Sequence, residues 1–197
     1  MGTSLWLVPS QEAASKLEIV MKTETGTSQS PSSFPPFDPH ITLVTVPSTT
    51  SLDELRAAIP ADQPVVPVTF KRVEIGHKYF MSVYVTVHHA AELNALRDAL
   101  GKALGEQTVP PVAHVSLFYI DDSEPEERQK AYDILEKEGR IVDRGEDHVA
   151  LDCADGEPES REPDLLDGFE GSEIWIAVCD GPVPTWVVKD RIKLSRL

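Results

Sequence analysis

Cysteine is scarce: only Cys153 and Cys179 occur among 197 residues, without the clustered spacing of a zinc site or of a redox pair. Reduced structural thiols are the expected reading, with one disulfide left open. No stretch approaches the ~20 apolar residues that a membrane span requires. The short apolar run after Met1 has no positively charged region ahead of it, so it does not read as a secretory leader, and a cytoplasmic or nuclear protein is expected. Basic residues are also few. Eighteen Lys and Arg stand against 33 Asp and Glu, for a net charge of −15. Long nucleic acids are poor partners for such a chain, because their binding draws most of its affinity from cationic side chains displacing counterions. A small anionic ligand needs only a local set of donors in a water-poor cleft.

What is present is an ordinary folded composition, 41% hydrophobic and 26% charged, in a chain long enough for one sizeable core. Ser4-Leu-Trp-Leu-Val8 reads as a first strand ended by Pro9, and Ser10 as the N-cap of a helix carrying Leu17, Val20 and Met21 to about Lys22. Thr23 to Pro39 is rich in Thr, Ser and Pro and predicts a surface loop, followed by a strand from His40 to Val46. Ser51-Leu-Asp-Glu54 is a capping box opening a short helix before Pro60. Val65 to Ile75 and Phe80 to His88 predict a hairpin turning at Gly76-His-Lys78, with Pro67 marking an edge or bulge and a parity shift between Phe70 and Val73. Leu93, Leu96, Leu100 and Leu104 line a helix from about Ala90, stopped at Gly105.

Val112 to Ile120 predicts another strand, and Ser123-Glu-Pro-Glu126 a second capping box with a helix to about Glu138. The stretch 153–172 is acidic, contains Gly and Pro and lacks periodicity, so a flexible surface insertion is expected there. Glu173 to Cys179 and Thr185 to Val188 then read as closing strands. The sum is about seven or eight strands and four helices with hairpin signals, an α+β chain with antiparallel sheets.

Two triplets carry chemistry. Side chains alternate along a strand, so His40 and Thr42 share one face and His114 and Ser116 share another. Each triplet follows a Pro-containing loop, opens an apolar strand and is followed by a capping box and a helix. This weak internal duplication implies two similar halves facing each other. A lone strand histidine is more often structural than catalytic; two copies in matching contexts favour a site. His77, His88, His89 and His148 lack that context and read as surface or turn residues, and no carboxylate or cysteine sits beside them at a ligand spacing, so no metal is expected.

His40-Ile-Thr-Leu43 and His114-Val-Ser-Leu117 both match the H-x-[ST]-x signature of the 2H phosphoesterases, which this chain resembles. The resemblance extends to the plant and fungal 2',3'-cyclic-nucleotide 3'-phosphodiesterases through Ser4-Leu-Trp-Leu-Val-Pro9, Phe37-Asp-Pro-His40, Val73-Glu-Ile-Gly76 and Trp175-Ile-Ala-Val-Cys179. It covers most of the chain except Thr23 to Ser33 and the acidic stretch. Ala113 departs from it, since relatives often have proline before the second histidine. The resemblance implies one bilobal domain over residues 1–197, with two antiparallel sheets related by a pseudo-twofold axis, a central cleft between them and helices outside. It implies a monomer that needs no metal or cofactor and takes a small cyclic nucleotide or ADP-ribose 1'',2''-cyclic phosphate, a by-product of tRNA splicing. It implies that a 2',3'-cyclic phosphate is opened to the 2'-phosphate. Tyr119 and Trp6 are its candidates for a nucleoside platform, although strict alternation puts Tyr119 on the face opposite His114.

The chemistry of the residues agrees with that. Imidazole, with a pKa of about 6.5, can take a proton from water in one copy and supply one to the leaving ribose oxygen in the other. Thr42 and Ser116 can donate hydrogen bonds to the non-bridging oxygens. The pseudo-symmetry leaves open which histidine is base and which is acid. Core packing is the expectation for Phe80, Phe118 and Trp175. Two other functions remain open at this level: action on RNA ends, and a non-catalytic module that only binds a nucleotide.

Overall fold

The computed structural model describes residues 2–23, 27–156 and 160–195; positions 24–26 of the Ser/Thr-rich loop and 157–159 of the acidic stretch lie outside the described residues. The described residues form ten strands and four α-helices in mixed order. Strands β1 (Thr3–Pro9), β2 (Ile41–Val46), β3 (Val66–Lys78), β4 (Met81–Val87), β5 (His114–Phe118), β9 (Gly168–Val178) and β10 (Val187–Lys193) make one sheet in the order β1-β2-β5-β4-β3-β9-β10. A further β1–β9 pairing closes six of these strands into a ring, with β10 outside on β9. Strands β6 (Ile141–Gly145), β7 (His148–Asp152) and β8 (Leu165–Leu166) form a second, smaller sheet. The fold is α+β with two antiparallel sheets, as expected. The two triplet-bearing strands, however, are neighbours in one sheet, joined where Ile41 pairs with Val115.

Helix α1 (Gln11–Met21) is capped by the Ser10 hydroxyl, which accepts from the Ala13 amide, and α2 (Leu52–Ala58) by Ser51, which accepts from the Glu54 amide. Helix α3 (Ala91–Leu104) buries Leu93, Leu96 and Leu100 and ends at Gly105, whose φ of 103° no other residue adopts without strain. The expected Ser123–Glu126 capping box does not form. Helix α4 (Pro125–Lys137) starts one residue later, with Pro125 in its first turn and no side-chain cap. The Ser123 amide and hydroxyl instead bond the Asp121 carboxylate, at 2.9 and 2.8 Å, in a local turn that competes with capping.

Alternation along the strands divides the molecule. Leu5, Leu7, Ile41, Leu43, Val115 and Leu117 join the helices' leucines in the main core, each fully buried leucine contributing about 1.5–3 kcal/mol. Their strand neighbours Ser4, Trp6, His40, Thr42, His114 and Ser116 line the opposite, open side.

Three further expectations are corrected by the structure. Gly76 to Lys78 is strand rather than turn: β3 runs to Lys78, opposite Met81, and the chain reverses at Tyr79 and Phe80. Gly76 is there because a Cβ would lie 1.9 Å from the Met81 carbonyl oxygen. The stretch expected to be an irregular insertion contains β8 and the first turnings of β9, and Arg161 is tied to Asp152 at 3.1 Å. Its periodicity was hidden because Gly171 occupies a strand position where a Cβ would meet the Leu7 side chain at 2.5 Å. The closing strand begins at Val187 rather than Thr185 and continues to Lys193. Pro67 lies where expected, on the part of β3 that pairs with β9 but precedes its first pairing with β4 at Phe70, and the register shift between Phe70 and Arg72 accounts for the change of parity. No helix among the described residues is long and apolar enough to cross a membrane.

Candidate active site

Antiparallel pairing of Ile41 with Val115 sets position 40 across from 116 and position 42 across from 114. Opposed side chains on one face of such a pair stand about 4.5–5.5 Å apart at Cβ, and diagonal ones about 7–8 Å. The two histidines thus occupy one diagonal of a small square and Thr42 and Ser116 the other, a span one phosphate can bridge. All four line a single cleft of about 320 Å3, together with Trp6 and Tyr119.

Each ring is held the same way. His40 Nδ1 lies 2.6 Å from the Asp38 carbonyl oxygen and His114 Nδ1 lies 3.0 Å from that of Val112, two residues back in both cases. A carbonyl only accepts, so both Nδ1 atoms carry hydrogen and each neutral ring keeps its lone pair on Nε2. The surroundings then differ. His40 is buried, with Trp6 stacked on it at 4.0 Å and the edge of Phe37 at 6.4 Å. Desolvation pulls its pKa down to about 4; the bond to Asp38 opposes this, and the charge of His114 adds to it. His114 is less enclosed. Burial lowers its pKa too, the carbonyls of Val112 and Phe80 favour its charged form, and Arg97 disfavours it.

Ser116 donates its hydroxyl hydrogen to the Phe80 carbonyl at 2.9 Å. Tyr119 reaches the cleft because β5 does not alternate to its end. Val83 pairs with Phe118 and Tyr84 with Ser116, so Leu117 is the extra residue of a bulge. Leu117 and Phe118 both enter the core, and Tyr119 turns back to the side of His114. Tyr119 is stacked on Phe37 at 4.0 Å and buried, which pushes its hydroxyl pKa well above the usual range. Trp6 is likewise buried, with one face covered by His40. Neither offers an open ring face at the mouth.

That position belongs to Phe80 and Trp186. Phe80, expected in the core, is 44% exposed at the β3–β4 turn, and its ring lies 5.7 Å from Trp186 and 5.3 Å from Tyr119. Its place beside the hairpin signal was the clue. Trp186 gives no comparable clue, since it follows a Pro-rich single turn that reads as part of a strand. Phe118 and Trp175 pack as expected, Trp175 under the guanidinium of Arg191 at 4.0 Å.

The remaining histidines stay outside the cleft: His88 and His148 approach each other at 6.1 Å near the second sheet. Among the described residues no three His, Cys, Asp or Glu side chains gather closely enough to hold a metal ion. Both cysteines are free and buried, and burial pushes Cys153 up to about 12 and Cys179 to about 11, so both remain thiols.

Among solved structures the chain is similar to LigT from E. coli, described in complex with NADP+, with a TM-score of 0.53 and 11% identity over 99% of this chain and 98% of that one. At that identity the likeness is one of fold. No curated protein matches the sequence. The family model described as cyclic phosphodiesterase-like protein matches residues 1–194, and the chain therefore belongs to the cyclic phosphodiesterase-like family of 2H phosphoesterases.

Proposed function

We propose that this protein is a cyclic phosphodiesterase that hydrolyses 2',3'-cyclic nucleotides to 2'-phosphates, in the manner of the plant and fungal branch, and opens ADP-ribose 1'',2''-cyclic phosphate downstream of tRNA splicing, as an intracellular monomer. The observation that carries this reading is the register of β2 on β5, which brings two carbonyl-tethered histidines and two hydroxyls to one cleft.

The asymmetry of the two rings supports a direction. His40, held near a pKa of about 4, is neutral at neutral pH and takes the proton of the attacking water at Nε2. The water oxygen bonds phosphorus and the bond from phosphorus to the 3' oxygen breaks. His114, whose pKa burial also lowers but whose ring is less enclosed and is bonded by two carbonyls that oppose that lowering, gives its proton to that oxygen, leaving the phosphate on the 2' side. Thr42 and Ser116 hold the non-bridging oxygens, and Ser116 must turn its hydrogen from the Phe80 carbonyl toward the phosphate to do so. None of these steps calls on a metal. A net charge of −15 favours a small substrate over an RNA chain.

Phosphorus NMR of the protein with 2',3'-cyclic AMP and EDTA tests this. A single 2'-phosphate product is expected, with His40→Ala and His114→Ala each slower by about 10²–10⁴. Full turnover by either variant overturns the assignment. Turnover confined to an oligonucleotide terminus favours action on RNA ends, and binding without turnover favours a sensing module.

A further inference from the structure

Helix α3 turns a leucine face to the core, and within that face stands an arginine. Arg97 is 8% exposed, next to Leu93, Leu96 and Leu100, and among the described residues no carboxylate is within ion-pair distance of it. One terminal nitrogen donates to the Pro110 carbonyl, and Nε has no partner. Burying a guanidinium without a carboxylate is costly, and leucine or methionine would fill the space without that cost.

What Arg97 touches gives the reason. Pro110 lines the catalytic cleft and begins the short loop whose Val112 carbonyl accepts from His114 Nδ1. Pro110 and Pro111 have no amide hydrogen, so the loop cannot tether itself through its backbone there. We propose that Arg97 is a positioning residue of the catalytic centre: its guanidinium fixes the Pro110 carbonyl and the loop that presents His114, and places an unpaired positive charge behind that ring. This rests on the proposed phosphodiesterase reading for its purpose, though its geometry does not. In a chain so acidic, such a charge favours a phosphate in the cleft without contacting it. Asp98, next in sequence, is exposed, and Glu106 and Lys102 line the same surface groove as Arg97. The other groups facing His114 are His40 on the diagonal of the β2–β5 pair, the Phe80 carbonyl, and the Tyr84 ring at 5.1 Å, whose hydroxyl bonds Glu74 at 3.2 Å.

The test is titration of the His114 and His40 rings by NMR in the full chain, for wild type, Arg97→Met and Arg97→Lys, beside thermal melts and kcat/KM. Arg97→Met is expected to raise the His114 pKa, leave that of His40 in place, and lower kcat/KM roughly tenfold. Arg97→Lys keeps the charge and should hold the titration while losing part of the rate. An unmoved His114 titration in a folded Arg97→Met variant overturns the proposal. Should Met at this position prevent folding, Arg97→Gln, neutral but able to donate, carries the same comparison. A wild type without phosphodiesterase activity would refute the functional reading, while the titration would still decide whether Arg97 governs His114.

Discussion

The indole of Trp6 lies flat against the imidazole of His40, with ring centroids 4.0 Å apart and planes inclined by 17°. Trp6 comes from β1 and His40 from the residue before β2, strands that pair with a register shift between Leu5 and Trp6. The stack excludes water from one whole face of the ring, and burial is the largest cause of its depressed pKa.

Trp6→Leu should therefore act through titration as well as rate. A general base works only above its own pKa, so with His40 near 4 the acid limb of kcat/KM lies well below neutrality. Letting water in raises that pKa toward 6.5, and the limb moves to higher pH by about one unit or more. A loss of about twofold at pH 5 for a shift of one unit, rising to about tenfold for a shift of two, with a smaller loss at pH 8, is expected, read from the pH profile. An unchanged limb would mean that the stack serves packing alone.

Phe80 and Trp186, not Trp6 and Tyr119, present ring surface at the mouth of the cleft, so they should set affinity for the base. Phe80→Ala and Trp186→Ala are expected to raise KM for 2',3'-cyclic AMP by about three- to tenfold with kcat nearly kept, each stacking contact being worth about 1 kcal/mol. A cyclic phosphate lacking a base should show no such change. Equal losses on both substrates would place these rings in the structure of the site rather than in recognition.

The placement of His40, Thr42, His114 and Ser116 on one side of the sheet was legible because it depends on local rules. Period-two alternation puts His40 with Thr42 and His114 with Ser116 whatever the fold, and the family signature adds the pairing. Element positions followed from Ser10, Ser51, Gly105 and the leucines of α3. Several misreadings turn on a residue whose reason lies on a neighbouring strand. Gly76 looks like a turn until the Met81 carbonyl is seen against it, and Gly171 interrupts a strand to make room for Leu7. Tyr119 changes face through a bulge that only its partner strand reveals. The unequal environments of the two histidines are equally non-local, since Trp6 stacks on one and the charge of Arg97 disfavours protonation of the other.

Glu124 joins the Ser-rich loop to the start of α4. Its carboxylate accepts from the Gln29 amide at 2.7 Å, the Ser30 amide at 3.1 Å, the Ser33 hydroxyl at 2.9 Å and the Ser28 hydroxyl. The same loop leads into Phe37 and the Asp38 carbonyl that orients His40. These bonds hold Glu124 below the usual carboxylate range. Glu124→Ala should lower the melting temperature by a few degrees and kcat/KM by several-fold. The stabilisation is present above the unfolded pKa and fades as pH falls through the lower folded one, so the difference in melting temperature between wild type and variant should shrink in acid.

His40 imposes an acid sensitivity of its own on the fold. Its folded pKa of about 4 lies below the unfolded value near 6.5, so between them the unfolded chain binds a proton that the folded one refuses. Stability is complete above pH 6.5 and declines as pH falls toward 4, by up to about 3 kcal/mol at one histidine, a shift of one unit being worth about 1.4 kcal/mol. Carboxylates such as Glu124 add their loss mostly below that window, because their unfolded pKa values are lower. His40→Gln, neutral at every pH and able to donate to the Asp38 carbonyl, should therefore flatten the urea-unfolding stability between pH 6.5 and 4.5 while leaving the steeper fall below it. If wild type and variant keep parallel curves through that window, His40 takes up its proton in the folded state as readily as in the unfolded one, and the argument for it as the neutral base loses its support.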